Sequence, residues 1–203
     1  MTTMTMTMTM TMTDSAEEKK SQEEGDFVSI RKKILELGEV KNFRILDVGA
    51  GPLATIAAKY FNCFVTSIDI DKKEIQLWKE YAEKEGVSDR INPEVADASE
   101  CPYRDDAFDV CICFCALHHF PTGIRGKAVS EFRRISSKRF IIAEYTTEGF
   151  LEVHSKEEFE PVSLDHLKET LKNTGSLKVI PLDKMMVYIV EKEPIFRNRH
   201  GHE

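Results

Sequence analysis

The chain has 203 residues and a formal net charge of -7, with 28 Lys and Arg residues against 35 Asp and Glu residues. This length fits one domain with a complete core, and it requires no second domain. The acidic balance argues against a broad phosphate-binding surface, so nucleic acid is not an expected partner.

The apolar runs and the cysteines bear on where the protein works. No apolar run approaches the ~20 residues that cross a bilayer, and no basic start followed by an apolar centre marks a leader. The five cysteines are an odd number, which fits a reducing compartment better than a disulfide framework. We therefore expect a cytoplasmic protein that does not enter the membrane.

Composition divides the chain into three parts. Residues 1–26 are a Met-Thr alternation followed by a charged stretch, which predicts a disordered tail. Residues 27–195 show the apolar periodicity of one folded domain, and residues 196–203 form a short C-terminal tail. The two tails are left out of the fold prediction.

The folded part begins with a helix, since Ile30, Ile34 and Leu37 share a helical spacing and Gly38 supplies a stop. Strands and helices then alternate, which is typical of an α/β fold with a parallel sheet. Two final strands, residues 177–182 and 185–191, form a hairpin that adds an antiparallel strand. The other predicted strands are 44–48, 64–69, 91–95, 110–115 and 140–145, with helices at 52–60, 72–85, 124–135 and 164–172.

The first strand leads directly into a glycine turn and a helix. Gly49 and Gly51 let the backbone approach a ligand closely, and the helix after them presents unpaired N–H groups. The turn also fits the dinucleotide pattern G-x-G-x-x-A, with Asp69 placed 20 positions after Gly49. An NAD(P)-binding oxidoreductase is therefore one interpretation.

Further carboxylates favour a different cofactor. Asp47 precedes the glycine turn, and Asp97 follows the third strand. A sulfonium nucleoside has no pyrophosphate, but its cationic sulfur, ammonium, ribose diol and adenine amino group all suit carboxylates. Asp71 is better explained as the N-cap of a capping box that Glu74 completes than as a ribose ligand in place of Asp69. The acidic residues thus favour a sulfonium cofactor over a dinucleotide.

Together with Leu117-His118-His119 after the fourth strand, these motifs resemble class I S-adenosylmethionine-dependent methyltransferases over about residues 43–191. The resemblance implies a single Rossmann-like, doubly wound, seven-stranded sheet, mostly parallel and in the order 3-2-1-4-5-7-6. Leu53 departs from the family, which often has a third glycine there. The implied cofactor residues are Asp47, Gly49, Ala50 and Gly51 at the methionine end, Asp69 at the ribose, Ile70, Asp97 and Ala98 at the adenine, and Cys113 through its main chain.

Residues that could take a proton follow the fourth and fifth strands. His118 and His119 lie after the fourth strand, and Glu144 lies at the end of the fifth. Adjacent turn residues rarely face the same way, so we expect at most one of the two histidines to face the pocket. We predict His118 for that position and Glu144 as the second catalytic residue. A helix cap or a loop contact is the alternative for His118. His154 lies in a long connection, residues 146–162, which is a candidate lid over the acceptor.

Cys111, Cys113 and Cys115 alternate along the fourth strand, which predicts that they share one face. This spacing does not suit zinc, so small buried side chains are expected and no metal site is predicted. A reactive thiol is the alternative for Cys115.

The methyl acceptor is expected to be a small molecule. The Asn/Asp-Pro-Pro-aromatic motif of nucleobase amino methyltransferases does not follow the fourth strand, where the chain reads Cys113-Phe114-Cys115-Ala116. The sequence therefore predicts an enzyme that transfers a methyl group from S-adenosylmethionine to a small molecule. Besides the NAD(P) oxidoreductase, the remaining alternative is a non-catalytic subunit that binds S-adenosylmethionine.

Overall fold

The computed structural model describes residues 28–154 and 159–192. The predicted tails, 1–26 and 196–203, lie outside the described residues, so the domain limits at 27 and 195 stay predictions. Among the described residues, no helix is both long enough and apolar enough to cross a bilayer.

Strands and helices alternate along most of the described chain, although the third and fourth strands and the last two strands follow one another without a helix between them. Most bounds differ from the predicted ones by two residues or fewer. The largest difference is at the start of the fifth strand, where Ser136 already pairs with Phe108. The strands are β1 (Arg44–Val48), β2 (Phe64–Asp69), β3 (Ile91–Val95), β4 (Phe108–Phe114), β5 (Ser136–Tyr145), β6 (Ser176–Leu182) and β7 (Met185–Glu191). The helices are α1 (residues 28–37), α2 (Pro52–Phe61), α3 (Lys72–Lys84), α4 (Thr122–Ile135), α5 (Thr147–Val153) and α6 (Leu164–Lys172), with single 3-10 turns at Ser88–Arg90 and Leu117–His119.

The strands form one seven-stranded sheet in the order β3-β2-β1-β4-β5-β7-β6. β1 to β5 pair in parallel, and β7 lies antiparallel between β5 and β6. The predicted fold class and strand order are confirmed. Val48 is in register with Ile68 of β2 and with Cys113 of β4, so three carboxyl ends meet at one edge. The strand order reverses between β1 and β4, which is where open α/β sheets bind ligands.

Alternate residues of the sheet contribute to two apolar clusters. Leu46, Cys111 and Cys113 share one cluster with buried residues of α4 and α6. Ile45 and Ile112 share the other with buried residues of α1 and α2. A central parallel strand covered on both faces needs a continuous apolar sequence, which is why β4 is an almost unbroken apolar run. The packing on both faces holds the carboxyl edge of the sheet in place.

Two local predictions are wrong. β4 ends at Phe114, and Cys115 adopts a left-handed backbone with φ 47°. Cys115 therefore packs against the cluster that includes α1, whereas Cys111 and Cys113 belong to the other cluster. The connection at 146–162, for which the sequence predicted a loop without a helix, also contains α5, whose N-cap Thr146 accepts a backbone hydrogen bond at 3.2 Å.

Candidate functional site

The glycine turn follows the carboxyl end of β1. Gly49 has φ 88°, and its N–H donates to the Ile68 carbonyl at 2.9 Å. A Cβ on Gly49 would lie 2.7 Å from the Ala116 Cβ, so conformation and space both require glycine there. Gly51 differs, because its backbone is extended and a Cβ would meet the Gly49 carbonyl oxygen at an ordinary 3.8 Å. The fold itself therefore does not need glycine at position 51.

Asp69 ends β2 and connects the glycine turn to the next helix. Its Oδ2 accepts a hydrogen bond from the Ala50 N–H at 3.1 Å, and its Oδ1 accepts from the Asp71 N–H at 2.8 Å. Asp71 is the N-cap of α3 as predicted, and it accepts a first-turn backbone N–H at 2.7 Å. The other half of the predicted capping box does not form, because the Asp71 N–H that Glu74 would accept is bonded to Asp69.

The residues predicted to contact adenine lie along the same edge. The Ala96 N–H donates to the Asp69 carbonyl at 3.0 Å, which holds the end of β3 beside the end of β2. Asp97 accepts a hydrogen bond of 2.7 Å from the backbone N–H of the residue two positions later in the chain. Ala98 is buried. Ile70 is 75% exposed, which is unusual for a large apolar side chain. The structure thus brings Asp69 and Asp97 to one side of the molecule.

Asp47 is a buried carboxyl group in β1. It is 1% exposed, and Ser67 donates from Oγ to Asp47 Oδ2 at 3.0 Å. Burial raises the pKa of Asp47 to about 7, against the opposing effects of the Ser67 hydrogen bond and the charge of Arg31. A carboxyl group with a pKa near neutrality responds strongly to a cation placed beside it.

Arg31 of α1 is buried near Asp47, a placement that sequence reasoning missed. The buried face of α1 is Arg31, Ile34 and Leu35, which is rotated from the predicted apolar face. The Arg31 guanidinium lies 4.4 Å from the centre of the Phe114 ring, and burial lowers its pKa although Asp47 is near. The sequence did contain a signal for this placement. Arg31 lies three residues before Ile34 and four before Leu35, so helical spacing puts all three on one face.

The structure brings together the two predicted catalytic residues. His118 Nδ1 lies 2.7 Å from Glu144 Oε1, and both side chains are 1% exposed. Glu144 Oε1 also accepts the Tyr145 N–H at 3.0 Å. In the neutral imidazole, a hydrogen bond to a carboxylate places the ring proton on Nδ1 and leaves a lone pair on Nε2. Within the described chain, neither His118 Nε2 nor Glu144 Oε2 has a hydrogen-bond partner.

His118, His119 and His154 form a group that we call the histidine cluster. The His118 ring centroid lies 4.2 Å from that of His119 and 4.8 Å from that of His154. Phe150 of α5 lies 4.9 Å from His154, and Phe159 lies 4.3 Å from His119. Desolvation lowers the pKa of His119 to about 4, and the neighbouring His118 and His154 contribute to the shift. The predicted lid connection therefore does reach the predicted catalytic histidine.

The cysteines have little thiolate character. Cys111 and Cys113 are fully buried, as expected for small apolar side chains, and burial raises the pKa of both thiols. Burial also raises the pKa of Cys115, so its thiol stays protonated at neutral pH. The geometry does not support the reactive-thiol alternative for Cys115.

A mostly parallel seven-stranded sheet with an inserted antiparallel β7, a glycine turn after β1 and carboxylates after β2 and β3 defines the Rossmann-like class of methyltransferase folds. The chain belongs to the methyltransferase domain family, whose sequence profile matches residues 39–187. The resemblance to class I S-adenosylmethionine-dependent methyltransferases is therefore confirmed, and with it the cofactor of the family. The NAD(P) oxidoreductase alternative is not favoured.

Individual relatives match parts of the chain. The 27-O-demethylrifamycin SV methyltransferase of Amycolatopsis mediterranei is 40% identical over 81 residues, which is 38% of this chain and 29% of that enzyme. Across four curated relatives, the matched part spans 29% to 59% of the relative's length.

Solved structures show the same fold at low identity. The PH0226 protein of Pyrococcus horikoshii has a TM-score of 0.72 and 19% identity, covering 84% of this chain and 91% of that one. Magnesium protoporphyrin IX methyltransferase of Synechocystis, solved with bound S-adenosylmethionine, has a TM-score of 0.62 and 15% identity, covering 82% of this chain and 78% of that one.

Proposed function

We propose that this protein transfers the methyl group of S-adenosylmethionine to a small-molecule acceptor. The observation that carries the proposal is the glycine turn bonded to Asp69 at the point where the strand order reverses. Family membership supports the reaction class, and the rifamycin methyltransferase among the relatives supports a small-molecule acceptor.

The methionine part of the cofactor would bind at the end of β1. Asp47 is suited to its ammonium and sulfonium charges, and Arg31 is suited to its carboxylate. Gly49 and Ala50 would line the turn, and Gly51 supports this placement because the fold alone does not require glycine there. Because the protein itself leaves room for a side chain at this position, a ligand that approaches the backbone closely would explain why the residue is glycine.

The nucleoside part would bind at the ends of β2 and β3. Each oxygen of Asp69 accepts one backbone hydrogen bond, and a carboxylate has about four acceptor sites, so capacity remains for both ribose hydroxyls. Ile70 and Ala98 would pack on the adenine, and Asp97 would accept from its amino group. Cys113 would contribute only through its main chain, since its thiol is buried.

The acceptor would bind beside the histidine cluster. In the reaction, the acceptor lone pair attacks the methyl carbon, the carbon–sulfur bond breaks, and S-adenosylhomocysteine leaves. Alignment alone contributes ~7 to 11 kcal/mol to such a displacement. Where the acceptor carries a proton, His118 Nε2 would receive it while Glu144 holds the imidazole in the required tautomer, an effect worth ~10²- to 10⁴-fold.

Calorimetric titration tests the cofactor class. We expect S-adenosylhomocysteine to bind one-to-one and NAD to give no heat, whereas NAD binding without a response to the sulfur ligand would overturn the proposal. Incubating the protein with methyl-labelled cofactor and cell extract, then separating products by size, tests the reaction. Label in the small-molecule fraction is expected. Cofactor binding with no labelled product of any size would favour the non-catalytic subunit.

A further inference from the structure

The histidine cluster has the composition of a metal site. One potential ligand atom from each of His118, His119 and His154 lies within 4.8 Å of the other two. We propose that these three imidazoles bind one divalent metal ion of the zinc class. The inference goes beyond methyl transfer, because metal binding by the three side chains can be tested apart from the cofactor and the acceptor.

His118 is already held as a metal ligand needs to be held. Its Nδ1 bonds Glu144 at 2.7 Å, so Nε2 is the nitrogen it has to offer, and that atom is buried with no hydrogen-bond partner in the described part of the chain. Metal-binding histidines usually donate their second ring N–H to a carboxylate or carbonyl, which fixes the tautomer and increases ligand basicity. A buried lone pair without a partner costs free energy, and a bound ion would remove that cost.

The distances require only side-chain adjustment. Zinc–nitrogen bonds of about 2.0 to 2.1 Å place the ligand atoms of a tetrahedral site about 3.3 Å apart. Ligand atoms that are within 4.8 Å of one another therefore have to close by about 1.5 Å at most. His118 is fixed by burial, whereas His119 is exposed and His154 is half-buried at the end of α5, so these two can turn towards it.

The surroundings of the cluster favour ion binding. Phe159 lies 4.3 Å from the His119 ring and Phe150 lies 5.5 Å from the His118 ring, so apolar side chains border the cluster on its buried side, while His119 itself is exposed. Apolar cover limits solvent access and strengthens interactions with a charge.

Three histidines leave the fourth tetrahedral position open. Water or the heteroatom of an acceptor would occupy that position. An ion bound to His118 Nε2 takes up the lone pair, so His118 would no longer accept the acceptor's proton. The ion would instead lower the pKa of a bound hydroxyl or thiol, whose proton would pass to water.

Metal binding can be measured without knowing the acceptor. The sequence places His200 and His202 near its end, outside the described residues, so both are first changed to Ala to give a parent variant. Zinc titration followed by calorimetry, and cobalt titration followed by visible absorption, should give one ion per chain with a tetrahedral cobalt spectrum. His119→Ala and His154→Ala should each weaken binding by ~10-fold or more, and Glu144→Gln by ~10- to 100-fold. His166→Ala, at an exposed histidine of α6, should change nothing.

Two results would overturn the site. One is an unchanged zinc affinity in both His119→Ala and His154→Ala. The other is the loss of all binding when His200 and His202 are replaced. Because His119 is exposed, its variant should keep the parent's circular dichroism and melting temperature, so weaker binding there reports on the ligand rather than on folding.

Discussion

The two sides of the carboxyl edge satisfy their polar groups differently. On the cofactor side, Asp47, Asp69 and Asp97 each accept at least one hydrogen bond from the protein itself. On the acceptor side, His118 and Glu144 satisfy each other, but within the described chain one polar atom of each is buried without a hydrogen-bond partner. The three carboxylates of the cofactor side are thus held in place by the protein's own hydrogen bonds, whereas the acceptor side keeps buried polar atoms without a described partner, at a cost in stability.

The largest expected effect lies on the acceptor side. Glu144→Ala removes the acceptor for both His118 Nδ1 and the Tyr145 N–H, and it leaves a buried imidazole unpaired. We expect the free energy of unfolding to fall by ~3 to 5 kcal/mol in urea denaturation, from the unsatisfied buried imidazole N–H together with the cavity that the shortened side chain leaves. Glu144→Gln keeps one acceptor oxygen and should cost less. If Glu144→Ala lowered the free energy of unfolding by less than Asp71→Ala, which removes only the N-cap of α3, the contrast between the two sides would not hold.

The two glycines of the turn sharpen the cofactor side of the comparison. Gly49→Ala places a Cβ 2.7 Å from the Ala116 Cβ at φ 88°, so we expect ~2 to 4 kcal/mol of lost stability by thermal and urea unfolding. Gly51→Ala meets no such contact and should leave stability within ~0.5 kcal/mol. It should instead weaken S-adenosylhomocysteine binding measured by calorimetry. Equal destabilisation by the two variants would mean that position 51 serves the fold rather than the ligand.

Substitutions at Asp69 and Asp71, which lie two positions apart, distinguish an effect on ligand binding from an effect on helix capping. Asp69→Ala should weaken S-adenosylhomocysteine binding by ~1.5 to 3 kcal/mol, the scale of hydrogen bonds to a charged group. Asp71→Ala is the matched control, because Asp71 caps α3, and it should cost ~1 kcal/mol of stability with little change in affinity. An unchanged affinity in Asp69→Ala would assign the ribose contact to another residue.

The cofactor side of the carboxyl edge was more predictable from the sequence than the acceptor side. Asp47, Gly49 and Asp69 belong to a strand-turn-helix pattern, so spacing along the chain predicted that they meet at one edge. Strand order also placed His118 and Glu144 at neighbouring strand ends. Their direct hydrogen bond, and the approach of His154 through α5, depend on how β4, β5 and α5 pack, which no local pattern encodes.

Two further differences have local physical causes. Cys115 departs from strand alternation because its backbone is left-handed, and a strand period cannot anticipate that. The position of Arg31 was missed because a cation on a helix is normally assigned to the solvent face. Cys115 thus lies where the strand ends, whereas Arg31 lies within a regular helix.

The smallest expected effect concerns pH and Asp47. Burial raises the pKa of this group to about 7, so at pH 6 the free protein holds it mostly protonated. The ammonium group of S-adenosylhomocysteine, placed beside Asp47, favours the ionised form, so binding should release a proton, and the affinity should rise with pH and level off above about 7. The slope approaches a tenfold change per pH unit at most, or ~1.4 kcal/mol.

The stability of the free protein should show the opposite trend. An acid whose pKa is higher in the folded state than in the unfolded state stabilises the fold below its unfolded pKa. This contribution is lost as the pH rises through the folded pKa of about 7. Asp47→Asn should flatten both profiles, because the amide is isosteric but does not titrate. Calorimetry in two buffers with different ionisation enthalpies counts the released proton directly. A proton release that persists in Asp47→Asn would assign the pH dependence to another group near the cofactor.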